Sequence, residues 1–441
     1  MVTVNAQVKS ANVAVKVLTK LTSISISVSH LTQLTETIGE ELAAVRDQQA
    51  DQYVAGKLEP EVQEPPQVAA VGTDGGRAFT RAEDAGRGVH DPAWKETKVA
   101  CLTTLSSETC EVDPHPELPG CFADPAGVGQ LVREIKSIRH EAGGLAAPGA
   151  GGGEAASADS AAGENLLDSL VLPPESVRDG SGEETSSAAK TKKSPCPKPR
   201  KKKQDWRPKR RVRTCVSSLC DSDEFGPKVA AEARRRRFFE AERRAFLGDG
   251  LKWNWVLQEN WFPDFEPILD FVHPMTYVYE ASRVVAADDE AAWSLCHRWL
   301  EACWQGRVSS VLEELRGWQA WHPSPPGEKL PDNDGRAIVS KSVTYLSHNV
   351  SRMDYPKYRR LGLPVTSSMV ESLIKEINYR VKGSEKAWKR PSGCESILQV
   401  RTTVLCDDAD RLSDFILSRP GCAYYRPSTA KRTSAGNATA A

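Results

Sequence analysis

The sequence predicts an α/β fold: a mixed sheet flanked by helices, with an all-helical insertion late in the chain. Three observations carry this. Two short apolar runs each end on Asp-Gly, "VAAVGTDGG" at 68–76 and "AFLGDG" at 245–250. A third run rich in β-formers, "WKETKVACLTTL", starts at Trp94. Beyond Asp249, most of the chain repeats apolar residues every three or four positions, the spacing of amphipathic helices.

Taken in order, residues 1–60 read as a helical region. "VAVKVLTKL" and "LTQLTETIGEELAAVRDQQ" carry helical spacing, and the Pro-rich joint "LEPEVQEPPQ" closes them. Residues 66–140 form the first part of the sheet-bearing domain. A strand runs to Asp74, "RAFTR" returns antiparallel, the Trp94 run is the third strand, and 125–140 is helical. Residues 141–213 read as a disordered insert. Its part over 141–189 carries nine acids against the single base Arg178, and residues 190–213 carry 13 Lys and Arg against the single acid Asp205. Neither part has a hydrophobic period from which to build a core. The basic part is either a solvated run or an electrostatic footprint for phosphate backbones.

Order resumes over 214–275, where the Arg-rich helix "GPKVAAEARRRRFFEAERR" feeds into the strand before Asp249. Residues 276–350 form the helical insertion. The segment 351–423 holds the helices "SSMVESLIKEINYRV" and "ESILQVRTTVLCDDADRLSDFILS", and 424–441 is a disordered tail.

Composition narrows the class. With 441 residues, 39% of them hydrophobic, the chain can bury a large core. No apolar run approaches a bilayer span, and the N-terminus lacks a signal-peptide core, so a soluble cytoplasmic protein without a membrane partner is expected. None of the 11 cysteines forms a CxxC pair, so reduced, mostly buried thiols are expected.

The candidate chemistry lies in carboxylates. Asp74 and Asp249 share one grammar, apolar strand then Asp-Gly. Each alone reads as a turn, because Asp-Gly is a common turn dipeptide. Glu371 is the third acid, one turn into a helix whose N-cap is Ser367 or Ser368. Its helical face continues through Lys375, Asn378 and Lys382, a polar and cationic line. An acid heading such a stripe suits a metal ligand beside a phosphate track; the alternative is an exposed Glu favoured by the helix dipole. Asp270 and His273, three apart, share a helical face as an orienting couple, half a metal site, or a satisfied core pair.

The run "YLSHNVSRMDYPKYRRLGLPVTSSMVES" resembles the segment around the catalytic glutamate of bacterial insertion-sequence transposases related to the eukaryotic Mutator group. The matching residues are Tyr345, Leu346, Asn349, Arg352, Met353, Tyr355, Tyr358, Arg359, Gly362, Leu363, Pro364, Ser367, Val370 and Glu371. "FLGDGLKWNW" with "WFPDFEPILDFVH" is similar to the segment holding that family's second aspartate and its Asp-x-x-His pair. "VGTDGGRAFTR" and "DPAWKETKVACL" are similar to its first aspartate and third strand. The resemblance spans roughly 68–136 and 205–425.

It implies a ribonuclease H-like domain and a DDE transposase whose acids Asp74, Asp249 and Glu371 hold two Mg²⁺ ions, with Mn²⁺ able to replace them. Strand nicking by water and strand transfer by a freed 3′-OH would share the site. Asp270 and His273 would orient it or position DNA. Arg359, Arg360, Lys375, Asn378, Lys382, Lys386, Lys389 and Arg390 would bind DNA. The implied partners are double-stranded transposon ends and target DNA, bound by a homo-oligomer in the bacterial cytoplasm at the nucleoid. The 121 residues between Asp249 and Glu371 would hold the family's helical insertion. Two features depart from the pattern. The insert lengthens the interval between the two aspartates to 175 positions, and no CxxC finger or clear helix-turn-helix precedes Asp74. The rival readings are a non-mobile ribonuclease H-like nuclease and a domesticated DNA-binding protein derived from a transposase.

Overall fold

The computed structural model describes residues 1–81, 93–143, 207–325, 330–382, 388, 390–407 and 411–420. The tail expected over 424–441, most of the 141–213 insert, and Lys386 and Lys389 lie outside them. In chain order the elements are α1 (Val2–Gln7), α2 (Ala11–Thr22), α3 (Val28–Val54), β1 (Val68–Thr80), β2 (Ala93–Ser106), α4 (Pro125–Gly143), β3 (Lys209–Ser218), α5 (Ser222–Arg235), β4 (Arg243–Gly248), α6 (Lys252–Trp261) and β5 (Glu266–Leu269). Then follow α7 (Val272–Val285), α8 (Asp289–Trp304), α9 (Val308–Trp321), α10 (Gly335–Asn349), α11 (Tyr355–Arg360), α12 (Ser368–Val381), α13 (Pro391–Val404) and α14 (Arg411–Ser418).

The fold is α/β, with a five-stranded sheet in the order β3-β2-β1-β4-β5. β1 pairs with β4 in parallel, Val68 opposite Arg243 and Gly72 opposite Leu247. β1 and β2 run in opposite directions, since Gly76 lies against Thr97 while Phe79 meets Trp94. The sheet is therefore mixed. β1 is its middle strand, and its first six residues are buried without alternation, as expected of a strand covered on both faces.

Three strand expectations need correction. β1 does not stop at Asp74 to return as "RAFTR" but runs on to Thr80. Gly75 and Gly76 make no turn, and neither has a positive φ. They leave room for β2 instead: a Cβ on Gly76 would sit 2.6 Å from Thr97 Oγ1. β3 starts inside the stretch read as insert, because the charges of "KRRVRTCVSS" mask a strand whose last six residues are buried without alternation. As the end strand of the sheet it tolerates them. β5 is four residues long, too short for a periodic signal.

The chain divides into two compact units, residues 1–103, 212–267 and 369–441 in one, 104–211 and 268–368 in the other. In the first, α3 packs on α5 and α13. Gly39 permits the close α3–α13 crossing, since a Cβ there would overlap the Ser396 carbonyl at 2.1 Å. Val2 and Ala6 of α1 join Ile38, Val400 and Leu412 in one apolar cluster. The N-terminal helices are thus part of this unit rather than a separate region. The Arg run at the end of α5 is structural. Arg235 pairs with Glu232 and Glu61, while Arg234 and Arg237 pair with Glu240 and also bond the carbonyls of the Pro-rich joint.

In the second unit α7 packs on α4, α8 and α10. Tyr277 and Tyr345 stack at 3.9 Å between α7 and α10, and Phe271, Trp304 and Tyr355 meet in its core. Asp288, Asp334 and Asp354 cap α8, α10 and α11 through their side chains. Among the described residues no helix is long and apolar enough to cross a membrane.

Candidate active site

Within the first unit, parallel β1 and β4 both lead towards an aspartate. The register ends with Gly72 opposite Leu247; Asp74 lies two residues further along β1, and Asp249 follows just past the end of β4. Neighbouring strands lie about 4.8 Å apart, and alternate residues of a strand share a face. Asp74 therefore shares a face with Gly72 and Gly76, and α12 covers that face. A Cβ on Gly72 would sit 2.3 Å from Val370 Cγ2, and one on Gly76 would sit 3.6 Å from Asn378 Oδ1. Glu371 follows Val370 in the first turn of α12. Gly72 is what lets the helix approach so closely.

Asp249 is both things its sequence offered, a turn residue and a carboxylate at a strand end. β4 stops at Gly248, and Gly250 takes φ +93, a left-handed conformation that glycine enters without strain. The turned chain donates the Leu251 N–H to Asp249 Oδ1 at 2.9 Å. Asn254 Nδ2 donates to the same oxygen at 2.6 Å, and Asn254 Oδ1 accepts from the Thr73 hydroxyl at 2.9 Å. Asp249 is 8% exposed and Asn254 is fully buried, so a β1 hydroxyl, an α6 amide and the β4 aspartate form one fixed chain. Asp74 is half-buried and accepts from the Gly75 N–H at 2.6 Å.

Asp74 lies within β1, Asp249 follows β4, and Glu371 lies in the first turn of α12. Their oxygens do not all lie within 4.8 Å of each other. Thr73, Asn254 and Lys98 are absent from the sequence reading. Lys98 is buried on β2, paired with Glu96 at 3.0 Å, its ammonium 4.8 Å from the Trp253 ring centroid. No period marks Asn254; its place five residues after Asp249 gains meaning only once the chain turns at Gly250. Trp253 and Trp255 lie on α6.

The expected cationic line on α12 is partly present. Lys375 is exposed, Lys382 is half-buried, and Asn378 lies over Gly76. Arg390 is exposed and 3.5 Å from Glu36. Arg359 requires correction. It is fully buried, bonds Asp113 through two nitrogens at 2.8 and 2.5 Å, and lies 4.2 Å from the Trp304 ring centroid. A guanidinium so enclosed is a core residue and cannot contact DNA. Arg360 is half-buried, and its carbonyl accepts from the Cys110 N–H.

In the second unit Asp270 is fully buried ahead of α7. Its Oδ1 accepts from the Val272 N–H at 3.1 Å, and its Oδ2 accepts from the Ser367 hydroxyl. His273 Nε2 lies 3.5 Å from Asp270 Oδ2. Ser367, expected as a helix cap, thus spends its hydroxyl on Asp270. Comparison with known families and with curated proteins finds no match to the chain.

Proposed function

We propose that the protein is a divalent-metal-dependent phosphoryl-transfer enzyme acting on DNA, a transposase with a ribonuclease H-like catalytic domain. The observation that carries the reading is that β1 holds Asp74 and its parallel neighbour β4 ends one residue before Asp249, with Val370, beside Glu371 on α12, packed on β1 at Gly72. The strand order, antiparallel from β2 to β1 and parallel from β1 to β4, supports the ribonuclease H-like fold.

The donor set fits Mg²⁺ or Mn²⁺. Asp74, Asp249 and Glu371 offer hard carboxylate oxygens, and spaced rather than fused carboxylates leave room for cations and substrate phosphate. What two such ions supply when bound is stabilisation of the attacking and leaving oxygens of an in-line displacement. The residues of the chain do the positioning. Asn254 and the Leu251 N–H fix Asp249, Gly72 holds Glu371 near β1, and Lys375 and Lys382 offer charge to the DNA backbone along α12. The DNA would be double-stranded, cut and joined by an oligomer of the chain.

Glu371→Gln tests this. The variant keeps the helix and the size of the side chain, and Mg²⁺-dependent cleavage of a DNA duplex should fall roughly 10²–10³-fold, the scale of losing one preorganised electrostatic contact. DNA affinity should persist, since Lys375 and Lys382 are untouched. Cleavage by the variant at the wild-type rate would overturn the proposal. A wild-type protein that binds DNA but never cuts it would mark a domesticated binding protein.

A further inference from the structure

β3, the end strand of the sheet, is edged within the first unit by residues 405–407, which follow α13. The Asp407 N–H donates to the Arg213 carbonyl and Asp407 Oδ2 accepts from the Arg213 N–H, both at 2.8 Å. At the next outward-pointing amide a sulfur replaces the carbonyl: the Cys215 N–H donates to Cys406 Sγ at 3.3 Å. Cys215 Sγ lies 3.9 Å from the Leu405 carbonyl, and the Cys406 thiol donates to the Thr402 carbonyl at 3.3 Å. Neither cysteine is in a disulfide, each is 7% exposed, and Cys406 Sγ lies against the backbone of Cys215 itself.

The pair is buried but not sealed. Cys215, Cys406, Thr402, Gln399, Arg411 and Phe415 help line a cavity of about 220 Å³, against roughly 30 Å³ for one water in the liquid. The two sulfurs differ in chemistry. Arg411 Nη1 lies 3.8 Å from Cys406 Sγ while its guanidinium also pairs with Glu232 at 2.9 and 3.1 Å, so the reacting thiolate would form beside a cation that Cys215 lacks at this distance. Burial pushes the Cys215 thiol well above its ordinary range and keeps it protonated.

We propose that Cys215 and Cys406 are a peroxide-responsive dithiol that closes to a disulfide, Cys406 reacting first and Cys215 resolving it. The Cys406 thiolate attacks one oxygen of hydrogen peroxide. The O–O bond breaks, an S–OH bond forms, and the departing hydroxide takes a proton to become water. Cys215 sulfur then attacks Cys406 sulfur. The S–S bond forms, the S–OH bond breaks, and the second hydroxide leaves as water with the Cys215 proton. The two thiols lose two electrons and peroxide gains them. The product staples the sheet edge to the end of α13 across a loop of 190 residues.

The full chain is treated with one equivalent of hydrogen peroxide, quenched with maleimide in denaturant, digested without reductant and read by mass spectrometry. A Cys215–Cys406 peptide lacking two hydrogens is expected, reversed by dithiothreitol. The melting temperature should rise by roughly 5–10 °C, as a cross-link over so long a loop predicts. In Cys215→Ser, Cys406 should accumulate as a dimedone-reactive sulfenic acid, whereas Cys394, fully buried in α13, should stay reduced in both proteins. Recovery of Cys215 and Cys406 as maleimide adducts in the oxidised wild type would overturn the proposal. So would equal oxidation of Cys394, or equal dimedone labelling of Cys406 with and without Cys215.

Discussion

Arg359 and Glu371 stand twelve residues apart in one motif-like run, and the fold uses them in opposite ways. Arg359 has no exposed surface, and its guanidinium bonds Asp113 and the Trp304 carbonyl beneath the Trp304 ring. Glu371 keeps partial exposure at the head of a helix and sits next to Val370, whose Cγ2 packs against Gly72. A charge enclosed and bonded through Nε and Nη2 to an acid and a carbonyl closes a core, even with Nη1 left without a hydrogen bond. A charge left partly exposed in the first turn of a helix is not closed off in that way. The sequence presents both as motif residues; burial and bonding separate them.

The largest effect that could break this contrast is on stability at Arg359. Arg359→Ala leaves Asp113 facing a void with its partner gone, and losing half of a buried pair costs roughly 3–5 kcal/mol. Chemical denaturation should register that loss while DNA affinity per folded molecule stays unchanged. Arg359→Lys should recover only part, because an ammonium cannot make the two-point contact or stack on Trp304 in the same way. A stable Arg359→Ala protein with weakened DNA binding would return this residue to the DNA-contacting group.

A smaller effect sharpens the other side. Gly72→Ala places a methyl 2.3 Å from Val370 Cγ2, and a β-branched helical side chain has few rotamers with which to yield. The overpacking should cost roughly 1–3 kcal/mol and shift the Glu371 turn. Adding Val370→Ala should restore stability, and cleavage with it if the spacing of Glu371 from β1 is what mattered. Gly72→Ala with wild-type stability and cleavage would show that α12 does not depend on that contact.

Much of this was legible beforehand. Apolar runs leading into Asp-Gly located β1 and β4, and periodic segments located α3 and α12, because an apolar period is a local signal. Asp249 at the end of β4 and Glu371 in the first turn of its helix follow from the same signals. What could not be read depends on pairing. The continuation of β1 through Gly75 and Gly76 is decided by β2 packing against it, and β3 is decided by its place at the sheet edge rather than by its own charged sequence. Arg359 fails for the same reason: nothing in "DYPKYRRLG" names Asp113, 246 positions away, as its partner. Asn254 gains its role only when Gly250 folds α6 back onto Asp249.

The smallest effect tests the Arg359 pair by titration, and its sign can be fixed in advance. Burial pushes the Asp113 carboxyl upward. Hydrogen bonds from Arg359, the His115 N–H at 3.0 Å and the Arg359 charge outweigh it, so the folded value falls below the ordinary 3.8. A carboxyl depressed on folding contributes stability above its unfolded pKa, and that contribution is lost as pH falls through the folded value. The wild type should therefore be flat in this respect from neutrality down to about pH 4.5 and then lose the contribution as acid is added. Asp113→Asn should start less stable at pH 7, and the gap between the two proteins should narrow below about pH 4, where Asp113 itself is protonated. Other carboxylates titrate over the same range, so the quantity to follow is the difference between the two unfolding free energies. A gap that stays constant down to pH 2.5 would mean that Asp113 stabilises the fold by shape rather than by its charge against Arg359.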